Sequence, residues 1–435
     1  MESIFMDKLK IRFNFVHIDF DKAITWFICL YFSNGLVRLA ARRVLSVARL
    51  QSSYILFANL IIYMPLILVL VLMISKRKID KSLWSFLLVL CATVFFFALT
   101  LFFHPDYDRF FFRETYGAWE DVFRPDSGAV FGFLVVTASR NSRRLIENLK
   151  YASMLLLLYS IYQFLKAVSD GYWTVLNAAG ESIEQSYNLG FGYTVIFCAT
   201  VFLGLFIRER KKTYLLLGCI STVLALVGGS RGCVLCLLIF GILYLFKEFS
   251  VVPVYKKILI TAGAVLAGIL FNAFYYDILS WLSGIDARTI QMFLSGDITS
   301  DNGRDAIYAL AAGAVKTMSF LGYGAFGDRQ FITPYYYWGY CHNIILELII
   351  DFGWLFGIII FLIICVRSIQ VLIRAREEQT FVICILLAAN AKLFLSDTFW
   401  GYPQFWMLIG YLFFVFKEEK KETFTGRIRF VRKKK

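Results

Sequence analysis

The chain has 435 residues, of which 59% are hydrophobic and only 17% charged. A soluble globular protein is nearer half apolar and a quarter charged, so the composition excludes an ordinary soluble domain and points to a polytopic membrane protein. The net charge of +14 is not a nucleic-acid signal, because Lys and Arg fall in short stretches between apolar runs, as in cytoplasmic loops.

The chain opens on a polar stretch with Asp7, Lys8, Lys10 and Arg12. It has no small-residue cleavage site, so no cleavable signal peptide is expected. About twelve apolar runs follow that are long enough to cross a bilayer as helices. Their predicted limits are 22–38, 53–74, 82–103, 126–138, 151–168, 188–207, 213–229, 232–246, 257–276, 343–366, 380–396 and 402–416, the fourth being the shortest. The predicted fold is therefore all-α. Residues 1–276 carry transmembrane helices, 277–341 form a long helical extracytoplasmic loop, 342–416 return to the membrane, and 417–435 are a basic cytoplasmic tail.

Charge sets the sidedness. Lys76-Arg77-Lys78, Arg140 to Lys150, Arg208 to Lys212, Lys247 to Lys257, Arg367 to Arg376 and the tail after Lys417 are basic and belong inside. The run Arg427 to Lys435 suits a tail lying near anionic lipid. Residues 38–49 break the pattern, because Arg38, Arg42, Arg43 and Arg49 fall outside by parity. Either the first span is miscounted or an interfacial helix, or these arginines hold something such as a phosphate. The 9 Cys are scattered, and Cys233 and Cys236 lie inside an apolar run, where they read as packing residues.

The polar groups capable of chemistry gather late in the chain. Gly228-Gly229-Ser230-Arg231-Gly232 is a tight outer turn. Arg231 there is on the wrong side for a topology signal, and its guanidinium can grip a phosphate bidentately; a snorkelling Arg is the mundane reading. Arg304, in Asn302-Gly303-Arg304-Asp305, opens an amphipathic helix in the long outer loop and is a second phosphate candidate, or the partner of a nearby Asp. Arg329 is a weaker candidate. The aromatic stretches Gly322-Tyr323-Gly324-Ala325-Phe326-Gly327 and Tyr335-Tyr336-Tyr337-Trp338-Gly339-Tyr340 offer flat faces for sugars, or an interfacial belt. Cys341-His342-Asn343-Ile344-Ile345-Leu346-Glu347 runs on to Asp351-Phe352-Gly353. His342 can act as a base near neutrality. Asn343, Glu347 and Asp351 are spaced to share one helix face at the membrane threshold, with Asn343 and Glu347 the candidates for substrate contact. His17 and His104 lack such company. No P-loop, dinucleotide fingerprint or zinc motif occurs, so neither cofactor nor catalytic metal is expected.

Three ordered blocks resemble the O-antigen ligase and polymerase family of bacterial envelope glycosyltransferases. They are Ser230-Arg231-Gly232; Gly303-Arg304 with Gly322-Tyr323-Gly324; and His342-Asn343, Leu346-Glu347, Asp351-Phe352-Gly353 and Gly357. Together they span roughly residues 213–366. The segment Tyr187-Asn188-Leu189-Gly190-Phe191-Gly192-Tyr193 is similar to ones in the polymerase branch. The resemblance implies a GT-C-like, metal-independent, inverting glycosyltransferase in the bacterial inner membrane, acting on an undecaprenyl-diphosphate-linked glycan at the outer face. It implies that Arg231 and Arg304 hold the donor diphosphate and that His342 meets the acceptor hydroxyl, and it implies a chain-length regulator and a flippase as partners. Polymerase is the leading expectation. A ligase that moves a finished glycan to another acceptor is the alternative, and a flippase for the same lipid-linked unit is the second, although no internal repeat supports a transporter.

Overall fold

The computed structural model describes residues 10–13, 16–74, 80–113, 116–176, 182–185, 188–228, 232–248, 253–274, 277, 304–336 and 339–416. Outside them lie Arg231 and its turn, Lys76-Arg77-Lys78, Tyr187, the loop segment 278–303, Tyr337-Trp338 and the basic tail.

Among the described residues the apolar runs are largely helical, as apolar stretches must be in lipid, where only intrachain bonds satisfy the backbone. The helices are α1 (Phe20–Phe32), α2 (Asn34–Val47), α3 (Tyr54–Ile74), α4 (Lys81–Phe103), α5 (Phe131–Ser139), α6 (Ser142–Asp170), α7 (Leu189–Glu209), α8 (Lys212–Gly228), α9 (Gly232–Glu248), α10 (Val254–Ala273), α11 (Arg304–Thr317), α12 (Ile344–Phe352), α13 (Trp354–Arg374), α14 (Glu378–Asn390) and α15 (Pro403–Gly410). The strands form two small antiparallel hairpins, β1 (Lys10–Phe13) with β2 (Val16–Asp19) and β3 (Trp173–Leu176) with β4 (Ser182–Gln185). Among the described residues, five helices are long and apolar enough to cross a membrane: α3, α4, α6, α7 and α13. The α1–α2 pair makes a sixth if it is one span bent by 81°. The chain is a helical, membrane-embedded protein.

Among the described residues, several predicted spans differ from straight crossings, the first, the fourth and the tenth most clearly. The first ends at Phe32, and residues 38–49, expected as a loop, lie mostly in α2. The fourth is the nine-residue α5, buried along its whole length. Its predicted start is diverted into a turn, where the buried Asp126 accepts from Arg38 at 2.5 Å and Arg124 at 2.6 Å. The tenth breaks at Gly353 (φ 83°) into the short buried α12 and the lipid-exposed α13. A side chain at Gly353 would run into the Phe320 carbonyl, so glycine's freedom at positive φ is required there.

The core fills with aromatic and β-branched side chains from α1, α5, α7, α14 and α15. One end of the bundle is basic and ion-paired: Arg140 with Asp80 (2.9 Å), Arg144 with Asp21 (3.1 Å) and Arg208 with Glu378 (2.9 Å). The ends of α1 and α14 opposite to these pairs lead to the Asp126 turn and to Lys392.

Candidate active site

The loop before α12 is tied to α12 by its backbone. Tyr323 N–H donates to the Ile350 carbonyl at 2.8 Å, and Gly324 N–H to the Asp351 carbonyl at 3.0 Å. Gly322 (φ 77°) permits this approach. Asp351 then accepts from Gly327 N–H at 3.1 Å and from the Trp400 indole at 2.6 Å. One turn earlier on the same face, Glu347 accepts from the Thr398 hydroxyl and from Phe399 N–H at 3.1 Å. Both acids are buried, and their partners are protein groups. They position the Thr398–Trp400 turn, which is a different task from the substrate contact expected of Glu347. Asn343 also departs from the predicted stripe. It precedes the helix and caps it, its side-chain oxygen accepting from Ile345 N–H at 3.0 Å and Leu346 N–H at 3.3 Å.

Arg329 is 2% exposed. Its guanidinium lies 3.2 Å from the Phe326 ring centroid and donates to the Tyr116 carbonyl. Asp121 and Asp328 offset its charge, and Asp328 accepts from Cys341 N–H at 2.8 Å. Burial and the Asp397 carboxylate, opposed by Arg329, hold the Asp121 carboxyl up to about 7. Arg329 is thus an internal pin beneath the 339–343 segment rather than a free phosphate ligand.

That segment presents His342. Its backbone is left-handed (φ 52°), and its ring rests 4.3 Å from the Tyr340 ring. Its Nδ1 is buried and has no hydrogen-bond partner among the described residues. Burial, then the neighbouring Arg304 and Lys392 charges, push the imidazole down to about 4, against the pull of Asp397. His342 is therefore neutral near pH 7, with a ring nitrogen open to a hydrogen bond from a hydroxyl.

Arg304 and His342 are brought within electrostatic reach of each other. Arg304 begins α11, is half-buried, and forms no ion pair among the described residues. The sequence reading missed two further members, Lys392 and Asp397. Lys392 follows α14 in a 3-10 turn. Its amino group pairs with Asp397 at 2.5 Å and lies over the Tyr193 and Tyr402 rings at 4.9 and 4.8 Å. A lysine inside the predicted span 380–396 was the available signal. Tyr193 comes from the start of α7, where Asn188 caps the helix by accepting from Phe191 N–H at 2.9 Å.

The turn after Asp397 also forms the edge of a second feature. Phe399 and Trp400, with Phe96, Phe352, Trp406 and Phe413, line an open apolar groove of about 370 Å³ beside α4 and α13. The Lys392–Asp397 pair and the apolar groove thus adjoin through the 397–400 turn. No group of His, Cys, Asp or Glu side chains among the described residues converges as a metal-ligand set.

No family model, curated protein or solved structure matches this chain.

Proposed function

We propose that the protein is an inverting glycosyltransferase of the bacterial inner membrane, with twelve crossings and a GT-C-like arrangement, that polymerises undecaprenyl-diphosphate-linked repeat units at the outer face. One observation carries the reading: His342, held neutral and with a buried, unpartnered Nδ1, lies within electrostatic reach of Arg304. A diphosphate leaving group needs positive charge as its own negative charge develops. A neutral acceptor hydroxyl needs a base. On this reading, Arg231 and Arg304 hold the diphosphate, and His342 takes the acceptor proton. The apolar groove at Phe399 and Trp400 receives the polyprenyl tail, and the aromatic stretch before Cys341 meets sugar. A flippase delivers the donor and a chain-length regulator sets the product.

The test is to delete the gene in its host and profile lipid-linked and surface glycans. Accumulation of single repeat units on the outer side of the membrane is the predicted result. Long chains stranded on the carrier would instead identify a ligase. Units trapped on the cytoplasmic side would identify a flippase and remove the catalytic assignment.

A further inference from the structure

The helix α2 and the segment that follows it carry a second, independent signal. At 100° per residue, Arg38 and Arg42 occupy one side of α2, Leu36, Ala40, Val44 and Val47 the other, and Arg43 lies at the edge of the apolar side. Its first half packs on α3, and Gly35 lies directly under the Tyr159 ring. Arg38 is spent on the buried Asp126. From Arg42 onward the helix leaves the bundle. Arg42, Arg43 and Arg49 are exposed and form no ion pair among the described residues. Val44 is 62% exposed, Val47 87% and Leu50 55%. That apolar strip continues into the exposed Leu56, Leu60 and Met64 of α3, a helix apolar enough to stand in lipid.

We infer that α2 lies flat in the membrane–water interface and binds the phosphates of anionic phospholipids. The 81° bend from α1 turns it across the direction of the bundle, so it runs in the membrane plane when α1 stands in the bilayer. Its valines then enter the acyl boundary while its arginines reach the headgroup layer, the usual division of an interfacial amphipathic helix. Three uncompensated cations on one short segment fit a surface of phosphates. The pairs from Asp126 to Arg38 and Arg124 anchor the helix to the turn that also carries Asp121. The lipid-binding helix is thereby fixed at the same end of the bundle as His342.

The experiment uses the full-length protein in vesicles of dioleoyl phosphatidylcholine with one fifth photoactivatable phosphatidylglycerol, and maps the lipid adducts by mass spectrometry. Adducts should concentrate on residues 39–56 and fall at least threefold there in R42Q/R43Q/R49Q. A photoactivatable phosphatidylcholine of the same chain length should label residues 39–56 at least threefold less than phosphatidylglycerol does. Equal labelling by the two lipids in the wild type, which needs no variant to fold, would overturn the proposal. Unchanged phosphatidylglycerol labelling in the folded triple variant would overturn it as well. Absence of adducts from 39–56, with labelling of α3 and α4, would show that this segment does not meet the bilayer.

Discussion

The Lys392 amino group and the Asp397 carboxylate meet at 2.5 Å, five residues apart, on a turn that also holds Thr398 and Trp400 against the acids of α12. Lys392 is buried beneath two tyrosine rings, while the Asp397 charge acts on the His342 imidazole. The pair couples the local fold to the charge around the imidazole.

Removing one partner leaves a largely buried charge uncompensated. Lys392→Met and Asp397→Asn should each lower stability by roughly 3 kcal/mol, and the double variant should lose less than the sum. Thermal melting of the purified single and double variants checks this coupling.

The Trp400 indole satisfies one oxygen of the buried Asp351. Trp400→Phe keeps the aromatic contact with Phe96 and Phe352 but removes the donor. A loss of about 2 kcal/mol is expected, because a buried carboxylate is left short of a partner. Asp351→Asn in the same background should recover part of it, which a double-mutant cycle in denaturant reads directly.

Gly353 combines a positive φ with a backbone neighbour where a side chain would stand. Gly353→Ala should cost about 3 kcal/mol and separate α12 from the Gly322 loop. Gly241, which has open space around it, is the matched control, and Gly241→Ala should leave expression and melting unchanged or slightly improved.

His342 has its folded pKa lowered, to about 4, from the ordinary value of 6.5. Between those two pH values the unfolded chain binds more protons than the folded one, so this residue's contribution to stability rises with pH across that window and is level above it. The neutral imidazole persists down to about pH 4. The acid limb of transfer activity should therefore fall near pH 4 to 5 rather than near 6.5, as measured by a pH profile of kcat/KM. Arg304→Gln removes a cation that lowers the imidazole pKa and should move that limb upward.

Much of the architecture was legible because apolar runs in lipid have few options other than helix. The interruptions were not. Gly353 reads as one more glycine in an apolar stretch until the Phe320 carbonyl, 33 residues earlier in sequence, arrives against it. The Asn343, Glu347 and Asp351 spacing suggested a single stripe. Asn343 instead caps the helix, while Glu347 and Asp351 are turned toward residues 398–400, a long-range partner that spacing alone does not disclose. Arg38 broke the charge rule for a local reason, an ion pair to Asp126, 88 positions away. His342 and Arg304 stood out as polar groups in an apolar chain, and the fold leaves them within electrostatic reach of each other. Lys392 carried the same signal and lay inside a run read only as a span.

The most direct measurement is complementation of a gene-deleted host with wild type, His342→Ala and His104→Ala at matched membrane protein levels, reading the length distribution of the surface glycan. Wild type and His104→Ala should restore long chains, and His342→Ala should leave single repeat units with at least a hundredfold loss of polymer. Full-length chains made by His342→Ala would contradict the assignment of His342 as the base.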